Sequence, residues 1–325
     1  MQKLNELRQR MKTVSDIKTV TGTLATVSAA KLSRTRGRAE TLHAYTKRLR
    51  AMLYEQQSYL AGSGRSLADV SPLLGRPRRA RNRTLVVVTG DRGMCGGYNL
   101  AIERFALEFW DRSVRAGKQL DFVAMGRKGE TYLRRRGAQI VHSKGWRREG
   151  VVADDVRGLL DVVLERYLSG ATDEVYVIYT RFYSPVRRKP VLTRLLPMEI
   201  GERGRPAEES PPPGVAELEL WSYEPMMAEV IFDLVVVCLL AEVHDMLLES
   251  YASEQGARMI TMKEAAERAE RTLRECRVAY NRLRREAITV DLLGSLFAAH
   301  VAEEQETIPT GAAVTQEEVS AHATE

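Results

Sequence analysis

Apolar residues near the N-terminus recur at three-four spacing: Leu4, Leu7, Met11 and Val14, then Ile17, Leu24 and Val27 with a drift in phase. Residues 2–60 contain no proline, so the pattern predicts one long helix with a narrow apolar stripe. At 1.5 Å per residue such a helix is on the order of 85 Å long, more than a small globule can bury alone. The C-terminal part supplies a match. Met259, Met262, Ala266, Ala269, Leu273, Cys276, Tyr280, Leu283, Ala287 and Val290 keep an unbroken three-four heptad with charged flanks. That is the seam of a coiled coil. From Pro225, a favoured first-turn residue, to His300 the chain reads as a single helix of roughly 110 Å. Two long helices at opposite ends of one chain pair most simply with each other, antiparallel.

The middle follows a different period. Apolar runs TLVVVT, LDFVAM, AQIVH and EVYVIYT alternate with helical stretches NLAIERFALEFWDRS and DDVRGLLDVVLERYL, and Val191–Leu196 adds a later strand. Alternating strands and helices predict an α/β domain with a mostly parallel, Rossmann-like sheet. The expected organisation is an N-terminal coiled-coil helix at 1–60, a basic linker at 61–83 and the central α/β domain at 84–222. A C-terminal coiled-coil helix follows at 223–302, then an acidic tail at 303–325. Residues 201–214 (GERGRPAEESPPPG) read as a polar loop, and the apolar-poor tail reads as unstructured.

Composition narrows the functional classes. Lys and Arg number 49 against 43 Asp and Glu, a formal charge of +6 that permits nucleic acid or an acidic protein partner without requiring either. Basic residues crowd positions 1–50 and the run RPRRARNR at 76–83, and none follows Arg285. Cys95, Cys238 and Cys276 lie far apart with no metal-ligand spacing, which argues against a zinc site or a disulfide framework. The longest apolar stretch, VIFDLVVVCLLAEV, is too short to span a bilayer and carries Asp233. Any membrane association is therefore expected through partners.

The stretch TGDRGMCGGYN, residues 89–99, holds four glycines at the end of a predicted strand, where open α/β sheets place ligands. It matches neither GxGxxG nor GxxxxGK[ST], and no lysine follows the glycines. The glycines are read as giving positive φ and close helix–strand approach, which leaves Asp91 and Arg92 as an exposed charge pair free to meet a partner. The five histidines show no ligand pairing, and no Ser/His/Asp constellation assembles locally. Glu254 and Arg258, at i,i+4, read as a surface ion pair worth a few tenths of a kcal/mol. RPRRARNR lacks interleaved aromatic residues and reads as a solvated connector. No catalytic residue, cofactor or metal is implied.

Taken in order along residues 3–302, these motifs resemble the gamma subunits of F-type ATP synthases. VTGTLATVSAAKL is similar to the family's stretch ending in VAAAKL, and TGDRGMCGGYN to its TSDRGLCGGYN. MGRKGETYLRRRG carries its GRKG, and WSYEP its Tyr-Glu-Pro. SEQGARMITMKEAAERAE and YNRLRREAITVDLL resemble its C-terminal block. The resemblance implies a noncatalytic rotor shaft that couples ion-driven rotation of the c-ring to conformational change at the beta subunits. Its implied partners are the alpha, beta and epsilon subunits and the c-ring, with no nucleic acid and no direct membrane insertion. It also implies that Asp91, Arg92 and Gly93 touch an acidic loop of a beta subunit, and that Arg284, Arg285 and Thr289 touch one higher on the shaft. The absence of a transit peptide and of a regulatory cysteine pair points to the cytoplasmic face of a bacterial plasma membrane.

This sequence departs from the pattern at Thr19, Gly22, Ala25 and Thr26, where the family favours lysines and a methionine, and at Arg268 and Arg285. Those departures hint at a distinct subclass. Two other readings stand beside the rotor: a nucleotide- or flavin-binding α/β protein with a coiled-coil arm, and a nucleic-acid binder built on the basic segments.

Overall fold

In the computed structural model the described residues are 2–62, 66–75, 80–147, 150–200 and 227–306. They divide between two compact units, one made of Met1–Lys18 with Glu267–Glu325 and the other of Thr19–Ala266. The proline-free N-terminal stretch forms α1 (Gln2–Gly62), and the heptad stretch lies in α6 (Met227–Glu306). Helix α6 continues past Ala302, where the sequence placed the start of the tail. The loop 201–214, the Tyr-Glu-Pro at 223–225 and residues 307–325 lie outside the described residues.

In the first unit the two helices pair antiparallel: Arg8 Nη2 donates to Tyr280 Oη at 2.8 Å, and Lys18 Nζ lies 3.3 Å from Glu270 Oε1. Ala269, Leu273 and Cys276 are buried here, while Tyr280, Leu283 and Ala287 are half-buried. Val290, by contrast, is 66% exposed. Few residues of α1 precede Arg8, so the partner helix runs out before α6 reaches Val290, and the seam stops short of the position the heptad gave it.

The second unit contains the rest of both helices and the sheet. The helices pair antiparallel here too, with Arg50 Nε 2.5 Å from Glu242 Oε1 and His43 Nδ1 3.3 Å from Asp245 Oδ2. Met262 is buried and Met259 and Ala266 are half-buried. Strands β1 (Asn82–Val88), β2 (Gln119–Met125), β3 (Ile140–Lys144), β4 (Glu174–Phe182) and β5 (Arg188–Leu196) form one sheet in the order β3-β2-β1-β4-β5. All pairings are parallel except β4 with β5, a hairpin. Between the strands lie α3 (Tyr98–Arg115), α4 (Arg127–Arg135) and α5 (Ala153–Leu168).

The continuous apolar run of β1 follows from burial on both faces. Val86 and Val88 point to one side, against α5 and the coiled-coil residues Leu49, Leu53, Val235 and Leu239. Leu85 and Val87 point to the other, against Ile102, Ala106 and Phe109 of α3 and Leu133 of α4. The period-2 alternation of a strand thus divides the core in two.

The stretch read as a basic linker, 61–83, includes core. A short helix α2 (Leu67–Val70) starts with a capping box between Ser66 and Asp69, and Leu67 and Leu73 are fully buried. β1 already begins at Asn82. Arg83 is not a solvated cation: its Nε lies 2.8 Å from Glu174 Oε2, and its guanidinium sits 5.6 Å from the Tyr176 ring centroid.

One polar cluster joins α1, β4 and α6. Glu249 lies one helical turn from Asp245 and 3.7 Å from Arg181 Nε of β4. Burial, and then the charge of Asp245, push the Glu249 carboxyl from 4.5 up to about 7. Because its folded-state value is raised, ionisation costs the folded state, so stability falls as pH rises from about 4.5 to about 7. Glu249→Gln is expected to flatten that slope and to stabilise the protein by about 1–2 kcal/mol at pH 8, after allowance for partial exposure. Urea titrations at pH 5 and pH 8 measure both effects.

Candidate functional site

The loop after β1 stands where the strand order reverses, between β1 and β4. In doubly wound sheets this crevice takes a ligand. Here α6 fills it. Tyr98 Oη lies 3.0 Å from Ser250 O and 2.8 Å from Ser250 Oγ, and Ser253 Oγ donates to Thr180 O at 3.1 Å. Ser250, Ser253 and Glu254 are all buried. The glycines serve this packing in two ways. A Cβ on Gly90 would stand 2.7 Å from Glu254 Cδ, so a larger residue there would displace the Glu254 carboxylate from its place against the loop. Gly96 has φ +58 and would meet Thr261 Oγ1 at 3.0 Å. The close approach is therefore to α6 rather than between a strand and its following helix.

Two expectations for this loop are corrected. Gly93 has neither a positive φ nor any atom within 4 Å of a built Cβ, and it is the neighbouring Met94 that takes φ 61. Asp91 is not a free surface charge. Its Oδ1 accepts from Arg127 N at 2.9 Å and its Oδ2 from Trp146 N at 3.0 Å. Arg127 opens α4, so Asp91 satisfies an amide that the helix leaves unpaired and ties three loops together. The guanidinium of Arg92, in contrast, has no partner among the described residues and is exposed.

Glu254 and Arg258 also differ from the surface pair read from their spacing. Their side chains are 6% and 11% exposed, with Arg258 Nη2 2.5 Å from Glu254 Oε1. The same Nη2 donates to the carbonyls of Arg92 and Gly93 at 3.4 Å, so Arg258 clamps the loop from below. Burial holds the Glu254 carboxyl above its ordinary range although Arg258 is beside it. Burial, then the Glu254 charge, likewise push the Cys95 thiol up, which suits a packed residue and not a nucleophile. The spacing revealed this pair, but nothing in the sequence showed that a loop would cover it.

Arg284, Arg285 and Thr289 lie in the other unit and are exposed. Thr289 Oγ1 donates to Arg285 O at 2.9 Å, Arg285 Nε turns back to Asn281 O at 3.4 Å, and Arg284 has no partner among the described residues. Among the described residues no group of three or more His, Cys, Asp or Glu could hold a metal, and no helix is long and apolar enough to cross a membrane. The three cysteines are free and buried.

The ATP synthase family profile matches residues 3–294. The ATP synthase gamma chain of Methylobacterium nodulans is 31% identical over 297 residues, covering 90% of this chain and 97% of the relative. The chain belongs to the ATP synthase gamma chain family. A second gamma chain, from Heliobacterium modesticaldum, is 29% identical over 89% of this chain and 95% of its own. The fold agrees with solved structures. The rotor of the Euglena gracilis mitochondrial ATP synthase aligns with a TM-score of 0.58 at 15% identity, covering 88% of this chain and 99% of that one. The central stalk of the Tetrahymena thermophila enzyme aligns with a TM-score of 0.55 at 20% identity, covering 76% and 99%. As in the gamma chains it resembles, the loop ends in Gly-Gly-Tyr-Asn, and Tyr98 and Asn99 are now seen to anchor it, Asn99 Oδ1 accepting from Gly90 N at 2.9 Å.

Proposed function

We propose that this chain is the noncatalytic central rotor shaft of an F-type ATP synthase. It couples ion-driven turning of a c-ring to conformational change at catalytic sites carried by beta subunits. The observation that carries this reading is the family match over residues 3–294, on a chain whose two end helices run antiparallel in each unit. Its partners are the alpha and beta subunits of the catalytic hexamer, the epsilon subunit and the c-ring. Its place is the cytoplasmic face of a bacterial plasma membrane, held there peripherally. The crevice a stand-alone nucleotide-binding protein would use is filled by side chains of α6, which favours the rotor over that alternative.

Within the rotor, the exposed guanidinium of Arg92 is the contact to an acidic loop of a beta subunit, and Asp91 shapes the loop that presents it. Gly93 leaves the loop backbone bare beside Arg92. Arg284, Arg285 and Thr289 form a second such contact on the other unit. An arginine fork meeting carboxylates is a strong and directional version of this interaction. A rotor whose faces differ biases each catalytic site through differential contacts as it turns.

The test is co-expression with the host's alpha and beta subunits, followed by size exclusion and MgATP hydrolysis. Co-elution at about one chain per hexamer, with activity that needs this chain, supports the rotor. A hexamer that forms and works without it overturns the reading. In that complex Arg92→Ala is expected to lower coupled activity several-fold while changing the chain's own stability by less than about 0.5 kcal/mol, as for an exposed residue whose side chain has no partner among the described residues.

A further inference from the structure

The loop 89–97 is not the only projection at its edge of the sheet. The turn joining β4 to β5, residues 183–187, packs on the same stretch of α6 but on the other flank of that helix. A Cβ built on Gly256 of α6 would lie 3.4 Å from Pro185 Cα and 3.5 Å from Phe182 Cε2, and 3.8 Å from Leu32 Cδ2 of α1. A few residues along α6, Arg258 holds the carbonyls of Arg92 and Gly93 and Thr261 backs Gly96. Arg188 spans the two projections: its Nη1 donates to Pro185 O at 2.5 Å, and it lies within electrostatic reach of Cys95 and Tyr98.

The turn is braced, yet it offers apolar surface to solvent. Tyr183 N and Ser184 N both donate to Arg187 O, at 3.2 and 3.0 Å, and Arg187 N donates to Ser184 Oγ at 2.9 Å. Arg187 stacks 5.2 Å from the Tyr183 ring centroid. Held this way, Val186 is 81% and Tyr183 51% exposed. The neighbouring loop does the same with Met94, 66% exposed and in the left-handed region at φ 61, a conformation that costs a non-glycine residue energy. Residues 183–190 (YSPVRRKP) contain no acidic side chain, and in the loop Asp91 is turned inward. The exposed charges at these two tips, Arg92, Arg187 and Lys189, are therefore all positive.

We infer that the turn 183–187 and the loop 91–97 form one two-pronged contact for an acidic segment of the beta subunit that also carries an apolar side chain. The cations meet its carboxylates, and Val186 and Met94 cover the apolar residue. The inference rests on the rotor reading of Arg92 and adds a second prong and an apolar component to it. Because the two prongs are bound to opposite flanks of one short stretch of α6, the helix fixes their spacing, and the partner segment meets them across it.

The experiment places photoreactive p-benzoylphenylalanine at Val186, at Met94 or, as a control, at exposed Val114 of α3, in the full chain assembled with the host's alpha and beta subunits. Cross-linked peptides are identified by mass spectrometry. Cross-links from 94 and 186 to one acidic segment of the beta subunit, absent from 114, are expected. Arg187→Glu is expected to weaken assembly about ten-fold at low salt, with the loss shrinking as salt rises. A cross-link from 94 but not from 186 would sink the second prong and leave the Arg92 reading standing. No beta cross-link from 94 in an intact complex would overturn the loop reading itself, and the two-pronged contact with it.

Discussion

Arg258→Met is expected to lower the unfolding free energy by about 3–5 kcal/mol at pH 8, the cost of leaving a buried charge without its partner. Glu254 is the charge left behind. It is 6% exposed on the side chain, lies against Gly90, and has Asp91 as a like-charged neighbour. Its carboxyl is already held above the ordinary range with Arg258 present, and removing the guanidinium raises it further. A raised folded-state value means stability is lost as pH climbs from the unfolded value to the folded one. The deficit of the variant is therefore expected to shrink as pH falls and to grow toward pH 8. Tryptophan fluorescence during urea unfolding reads it directly, because Trp146 donates to Thr89 O and packs 6.1 Å from Tyr251. A deficit that did not change with pH would show that the lost packing of the arginine stem matters and the orphaned carboxylate does not.

Gly126→Ala is the second large effect, and its cause is backbone geometry. Gly126 has φ +99, and a Cβ there would lie 2.2 Å from Thr89 O and 2.7 Å from Thr89 C. These are main-chain atoms of the strand end, which cannot swing aside as a side chain can. Roughly 3 kcal/mol or more is expected, combining the left-handed penalty with displacement of the β1 end. Gly93→Ala supplies the contrast. It has open space around a built Cβ and no positive φ, so a change within about 0.5 kcal/mol is expected. Thermal melts of the two variants beside the parent distinguish a glycine required by the fold from one that is not.

The long helices and the strands were legible because each advertises itself by a period. Three-four spacing gave α1 and α6, and apolar runs between helical stretches located every strand within a few residues. Helix α4 went unread as an element, because RKGETYLRR is too short and too charged to show a stripe. Other misreadings share one physical origin: the sequence shows which residues are neighbours along a helix but not what crosses over them. Glu254 and Arg258 had the spacing of a surface pair until the loop closed above them. Asp91 looked free until the starts of two distant segments brought Arg127 N and Trp146 N to it. Val290 kept the heptad although its partner helix had ended. Arg92 is put forward as a contact through resemblance alone, whereas the strain at Met94 had no sequence signal, since methionine is an ordinary residue that tertiary packing forced into a glycine conformation.

The helix that fills the crevice of the sheet has a mechanical consequence. Residues 250–261 of α6 are gripped by side-chain and backbone contacts from β4, the β1 loop and the β4–β5 turn, over about three helical turns. A tool bit clamped along its shank, not at its tip, twists little within the jaws. A sideways push on the loop enters α6 as shear spread over those turns instead of bending the helix at one point.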